Sequence, residues 1–240
     1  MKLIDAHIHL DQYRNHKELY ELMKKSQNYY LCVSNNIDVF NSLNYFYKEQ
    51  NNIKFALGAN PQTLLQDGFN LCLFKKFLVK TRYVGEIGLD FSSKYIAYKD
   101  YQLKVFEDIL RSIKGTNKIL SIHCNKAENE VFQLLRKYEL GHQSIIHWFS
   151  GDTKKCMLLS QLGCYFSINA NMARKTNFIE LIKLIGLNRV LVESDGPHTK
   201  ISNKTGTNYI NKIYDILKER LQIDNFEALV YENFKRLLSV

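Results

Sequence analysis

Ile119-Leu120-Ser121-Ile122-His123-Cys124 is a nearly continuous apolar run that ends beside a histidine. It is followed by a segment from Glu130 to Tyr138 with apolar residues at helical spacing, and then by a second apolar run from Ser144 to Phe149. Short runs without polar alternation suit strands buried on both faces, as in a parallel sheet. A helical segment between two of them is a βαβ unit. The same pattern extends in both directions. Upstream lie Leu3 to Ile8, Tyr29 to Val33, Phe55 to Gly58 and Tyr83 to Ile87; downstream lie Cys164 to Ile168 and Val190 to Glu193. Helical periodicity recurs in Glu18 to Lys25, in Tyr98 to Ile113 through Leu103, Phe106, Ile109 and Leu110, and in Phe178 to Ile185. Two further helices, from about Tyr209 to Leu221 and from Phe226 to Leu238, close the chain. Eight strand and helix repeats predict an α/β fold of the closed (β/α)₈ barrel type, whose usual size is about 250 residues. A doubly wound open sheet is the competing architecture. No composition shift, linker or internal repeat interrupts residues 1–240, which predicts a single domain.

Composition narrows the function classes. With 45% hydrophobic and 24% charged residues, the chain can bury a sizeable core and is not intrinsically disordered. Two prolines and 11 glycines exclude collagen-like and Gly/Ser-linker architectures. A net charge of +9 favours anionic partners, nucleic acid first. The 5 cysteines are odd in number and contain no C-x-x-C pair, which argues for reduced thiols in a cytoplasmic protein and against a disulfide framework or a zinc-thiolate site. Asp5, His7 and His9 interrupt the first apolar run before it resembles an export signal, and no run is long enough to span a membrane.

The polar residues at or near the predicted strand ends carry the chemistry. They are His7 and His9, then Asn35, Asn60, Glu86, His123, His147, Asn169 and Asp195. In a barrel such positions converge on the face that holds active sites. His7 and His9 are two apart on a strand and point to one side. Glu86 is a carboxylate in an otherwise apolar strand and needs a partner. His123 and His147, each alone, read as core histidines bonded to backbone, and an isolated H-x-H reads as two satisfied polar side chains. Their convergence with Glu86 and Asp195 favours a metal site. His16 and His142 fall at helix boundaries and read as surface residues. His198, after Asp195-Gly196-Pro197, is placed to overhang the site, and Cys124 should face the core.

His7-Ile8-His9-Leu10-Asp11, Gly85-Glu86-Ile87-Gly88-Leu89-Asp90, Ile122-His123, His147-Trp148-Phe149-Ser150-Gly151, Glu193-Ser194-Asp195-Gly196-Pro197 and Asn233 to Leu238 resemble, in order, the signatures of the TatD-type metal-dependent nucleases. A narrower likeness, through Thr81-Arg82-Tyr83-Val84, Trp148 in place of the usual cysteine, Gly163 to Ser167 and Asp195-Gly196-Pro197, is to the TatD-type component of the Qat anti-phage defence system. The family resemblance implies a TIM barrel carrying two divalent ions. It implies that His7, His9, Glu86 and Asp195 hold one ion, that Glu86, His123 and His147 hold the other, and that Glu86 and Asp195 serve catalysis.

Imidazole with carboxylate suits Zn, Mn, Fe or Ni, whereas a Mg site is usually richer in oxygen, so Zn, Mn and Mg all stay open. Two ions can activate a water and clamp a phosphodiester. The expectation is hydrolysis of DNA or RNA with Asp195 orienting the water, and the family resemblance implies trimming from a 3′ end. Lys126, Arg174, Lys175, Lys200 and Lys204 follow the strand ends, where they could track a phosphate backbone, and Trp148, Phe149 and Phe91 could stack a base or pack under the barrel rim. Two substrate positions depart from the family pattern. Asn60 stands where it has His, and Asn125 where it has Arg, with Lys126 adjacent. Two alternatives follow, an aminoacyl-ester or amide hydrolase on the same metals and a binding subunit of a defence complex.

Overall fold

A computed structural model describes residues 2–202 and 208–239. The chain runs β1 (Ile4–Ile8), α1 (His16–Lys25), β2 (Tyr29–Val33), α2 (Ile37–Phe46), β3 (Ile53–Ala56), α3 (Leu64–Asp67) and α4 (Leu71–Leu78). It continues through β4 (Tyr83–Asp90), α5 (Lys99–Ile113), β5 (Ile119–Asn125), α6 (Glu128–Tyr138), β6 (Ser144–His147) and α7 (Thr153–Gln161). The last elements are β7 (Tyr165–Ile168), α8 (Phe178–Ile185), β8 (Val190–Val192), α9 (Asn208–Leu221) and α10 (Phe226–Leu238). Every strand pairing is parallel, in the order β1-β2-β3 and β4-β5-β6-β7-β8. Two seams join these sheets into a ring. Leu57 bridges to Val84 at one, and Ile8 bridges to Gly196 at the other. This is the TIM barrel, so the open-sheet alternative falls.

The strands are buried almost throughout, as runs without polar alternation require. Around them α10 is pinned by Asn233, whose Nδ2 donates to the carbonyls of Leu187 (2.7 Å) and Val190 (2.8 Å) at the start of β8. Tyr214 of α9 reaches β1, its hydroxyl accepting from the Ile4 amide at 3.0 Å.

Several boundaries differ from the sequence reading. β3 begins at Ile53 because its pairing with β2 starts there, and Leu57 and Gly58 already lie beyond it, at the seam. β4 runs on to Asp90, so Glu86 sits inside the strand and not at its end; His7 likewise lies within β1. β6 stops at His147, and Trp148 then takes a left-handed backbone, φ +40°, which no strand continues. Among the described residues no helix is long and apolar enough to cross a membrane.

Candidate metal centre

Strand alternation and one irregularity assemble the site. On β5, Ser121, His123 and Asn125 share one side of the strand, and on β4 Glu86, Gly88 and Asp90 do. The β4–β5 register shifts between Val84 and Ile87, a bulge that turns Glu86 toward the barrel axis. Gly85 is needed there, because a Cβ on it would stand 2.8 Å from the Ser121 Cβ. Asp195 follows β8 in a left-handed backbone, φ +43°. Its amide donates to the His7 carbonyl at 2.9 Å, and Asp5 Oδ1 accepts from the Ser194 amide at 2.8 Å. Trp148 and Asp195, two bulky or charged residues in an unfavourable backbone region, thus both stand at the site.

The six residues expected to bind metal come together, five of them buried and His123 nearly so. Glu86 lies between two groups of nitrogen. Its Oε2 faces His9 Nε2 at 3.4 Å and His7 Nε2 at 3.9 Å, while its Oε1 faces His123 Nδ1 at 2.8 Å and His147 Nε2 at 2.9 Å. Asp195 Oδ1 completes the first group, 3.7 Å from His7 Nε2 and 3.6 Å from His9 Nε2, and the two imidazole nitrogens are 3.3 Å apart. Tetrahedral ligands at about 2.0–2.2 Å from a cation lie about 3.3–3.6 Å from one another. His7, His9 and Asp195 therefore lie close to the spacing of cation ligands, with the Glu86 carboxylate beside them. The second group, His123, His147 and Glu86, offers three donors, with its two nitrogens 3.2 Å apart. Its chemistry of two imidazoles and one carboxylate suits a divalent cation that keeps a position open.

Neighbouring bonds aim these nitrogens. His7 Nδ1 pairs with Ser121 Oγ at 2.8 Å, and His123 Nε2 with Asp90 Oδ2 at 2.9 Å. Each bond occupies the far nitrogen with a proton and leaves the near one free to ligate. His147 Nδ1 and His9 Nδ1 are buried without a hydrogen-bond partner, the former 3.9 Å from Glu193 Oε2. Electrostatics agree with this picture. Burial, and then the neighbouring His147, hold His7 well below the usual imidazole range, so it is neutral with its lone pair available. Burial would raise Glu86, but the surrounding imidazoles carry it well below the usual carboxylate range. Burial would depress His123, but its hydrogen bonds to Asp90 and Glu86 raise it to about 9, a proton that a cation must displace. Burial raises Asp195.

The site opens into a cavity of 410 Å³ whose walls include Asn35, Asn60, Asn125, Trp148 and His198. Asn60 does not merely border it, since its Nδ2 donates to Glu86 Oε2 at 2.7 Å and to Asn35 Oδ1 at 3.1 Å. Asn125 turns to Asp90, 3.3 Å from Oδ1. His198 is exposed, with its ring 5.1 Å from that of His9. Cys124 is buried as expected, yet it contributes to the cavity wall.

Other expectations fare differently. Asn169 does not reach the cavity; its Nδ2 donates to Glu193 at 2.9 Å. Phe149 is fully buried against Phe166, ring centroids 5.6 Å apart, and Phe91 is buried beneath Lys99, so both belong to the core and not to a base-stacking surface. His16 opens α1 and its Nδ1 bonds the Tyr47 hydroxyl, so it is a helix residue with a partner and not a loop residue at the surface. Lys126, Arg174, Lys175 and Lys200 are exposed and none lines the cavity; Lys204 lies outside the described residues. The sequence reading left Asp90, Ser121 and Glu193 without roles. Asp90 and Ser121 share strand sides with residues it named, which was the available signal, whereas Glu193 lies just beyond β8.

The comparisons with known proteins come down on the same side. The sequence model of the family described as TatD-related DNase matches residues 4–239. An uncharacterized metal-dependent hydrolase of Buchnera aphidicola is 27% identical over 100% of this chain and 97% of its own. The deoxyribonuclease Tat-D of Schizosaccharomyces pombe is 29% identical over 49% of this chain and 38% of its own. In structure the chain is similar to YJJV, a TatD homologue from Escherichia coli, with a TM-score of 0.85, 18% identity and coverage of 99% of this chain and 98% of that one. A match along almost the whole length, on this barrel and with these donor groups at its mouth, places the chain in the TatD-related DNase family as a metal-dependent hydrolase.

Proposed function

We propose that the chain is a two-metal phosphodiesterase that trims DNA, and also RNA, from the 3′ end, residues 1–240 acting as one catalytic barrel in the cytoplasm. The observation that carries this reading is the division of Glu86, one oxygen to each of two donor groups. His7, His9 and Asp195, joined by Glu86 through its Oε2, would hold one divalent ion, Zn, Mn or Mg, and Glu86, His123 and His147 the other. When bound, such a pair lowers the pKa of water and stabilises the attacking and leaving oxygens of a phosphodiester. The named deoxyribonuclease among the relatives supports the substrate class.

The chain's own residues do the rest. Asp195 Oδ1, beside His9 and facing the cavity, orients the water and takes its proton. As the water oxygen joins phosphorus, the bond to the 3′ oxygen of the preceding nucleotide breaks. The proton ends on that leaving oxygen, giving a 5′-mononucleotide and a shortened strand. Asn60 holds Glu86 in place through its 2.7 Å bond, and Asn125 does the same for Asp90. His198 and Trp148 close over the reacting phosphate from the cavity rim. The likeness of Trp148, Thr81 to Val84 and Gly163 to Ser167 to the Qat component supports work in anti-phage defence alongside other defence proteins.

The test is digestion of 5′-labelled single-stranded DNA and RNA by metal-loaded protein, with His147→Ala, Asp195→Asn and an aminoacyl ester as a third substrate. Stepwise shortening from the 3′ end, abolished in both variants, is the expected result. Intact nucleic acid with a hydrolysed ester would replace this reading by the ester hydrolase, and inertness toward all three would leave a binding subunit.

A further inference from the structure

A second cavity, of 290 Å³, lies on the same face of the barrel as the metal centre. It is built from the loop between β2 and α2, the residues following β3, and the turn between α3 and α4. Asn35 is a wall of both cavities, and Asn60, bonded to Glu86 on one side and to Asn35 on the other, ties them together. Whatever binds at the metal centre therefore has a neighbouring space large enough for a further ring system.

The walls say what kind. Phe69 presents a half-buried aromatic ring. Asn35 Nδ2 and Asn70 Nδ2 are donors that form no hydrogen bond among the described residues, since only the side-chain oxygens of these two residues are engaged, with Asn60 and with the Leu73 amide. Asp38 and Asp67 add acceptors, and Asn36 Nδ2 steadies Asp67 at 2.9 Å. No Lys or Arg lines either cavity among the described residues. A second phosphate would meet two carboxylates and no cationic side chain here, whereas a flat, neutral ring with both donors and acceptors on its edge would find a platform and matching partners.

We propose that this cavity is the subsite for the base of the 3′-terminal nucleotide, selective for bases that carry an exocyclic amine, adenine, cytosine or guanine, over thymine and uracil. The amine donates to the Asp67 carboxylate, which Asn36 holds in place, the ring acceptors take the Asn35 and Asn70 amides, and the ring stacks on Phe69. This deepens the nuclease reading and rests on it for the placement of the phosphate, but binding of a nucleoside to the cavity is independent of cleavage.

The experiment has two arms on metal-loaded protein. In the first, deoxyadenosine and thymidine are titrated against wild type, Asp67→Asn and Phe69→Ala, and binding is followed by calorimetry. In the second, kcat/KM is measured on single-stranded DNA ending in dA, dT or an abasic residue. Wild type should bind deoxyadenosine about tenfold more tightly than thymidine, as a hydrogen bond to a charged acceptor implies. Asp67→Asn should erase that ratio without loss of fold, because Asp67 is exposed at the end of α3. Phe69→Ala should weaken both nucleosides about tenfold. The dA end should be cut faster than the dT end and the abasic end slowest. Equal binding of the two nucleosides by wild type, or a ratio untouched in Asp67→Asn, would overturn the subsite even if cleavage proceeds. Base-selective binding without any cleavage would instead overturn the nuclease reading and leave the subsite standing.

Discussion

Ser121 Oγ and Asp90 Oδ2 occupy the far nitrogens of His7 and His123, at 2.8 and 2.9 Å, and so fix which nitrogen each imidazole offers to the centre. Neighbours of this kind are worth about 10- to 100-fold in metal affinity. Ser121→Ala and Asp90→Ala should each weaken binding by that factor in a competition titration against a chromophoric chelator, while circular dichroism stays native; unchanged affinity would remove both residues from the account. At this scale the sequence was readable because the strand period is two. Ser121 with His123 and Asn125 follow from alternation, and His9, just past the end of β1, is held beside His7 by its amide bond to the Gly196 carbonyl. Glu86 resisted the same reading. A bulge at Val84 to Ile87 aims its side chain, and nothing in the composition of Tyr83 to Asp90 announces the register shift. For Phe149 and Phe91 the sequence leaves stacking and packing both open, because neighbouring a ligand in sequence says nothing of the side a ring faces, and both face the core.

Elements that pack on one another were legible, and elements defined by their caps were less so. The reading found α5, α8 and α10 from apolar spacing alone, since each buries a stripe against the barrel. It named none of α2, α4 and α7. Each begins at a side-chain cap, Asn36 on the Val39 amide, Asn70 on the Leu73 amide and Asp152 on the Lys155 amide, and those caps were the missed signal. Strand limits shifted for a different reason, because pairing partners and not apolar content end a strand, as at β3 and β6. The tie between α10 and β8 gives a test at this scale. Asn233→Ala leaves the buried Val190 carbonyl and the part-buried Leu187 carbonyl without this donor and should cost about 1–3 kcal/mol in urea denaturation. A midpoint equal to that of wild type would mean that apolar packing alone seats the helix.

Across the whole molecule the net charge of +9 is not spent on the cavity, whose described walls hold no Lys or Arg. On the proposed reading the phosphate meets its positive charge at the metals, and the exposed lysines and arginines act on nucleic acid at longer range, through a potential that salt screens. Raising the ionic strength should therefore raise KM for long single strands more than for a dinucleotide; equal responses would deny the basic surface a part in binding. The thiols report on the same fold. Cys72 is exposed, while burial pushes Cys156 up to about 11, Cys164 up to about 12, and Cys32 and Cys124 well above the usual thiol range. A thiol reagent at neutral pH should modify one cysteine in the native protein and all 5 in denaturant.

The central claim is that Glu86 divides one site between two ions. The direct measurement is metal content per chain by mass spectrometry after loading with Mn or Zn and dialysis, on wild type and on His123→Ala. The account predicts two ions per chain in the wild type and one in His123→Ala, which removes a donor from the second group alone. A single ion per chain in both proteins would contradict it.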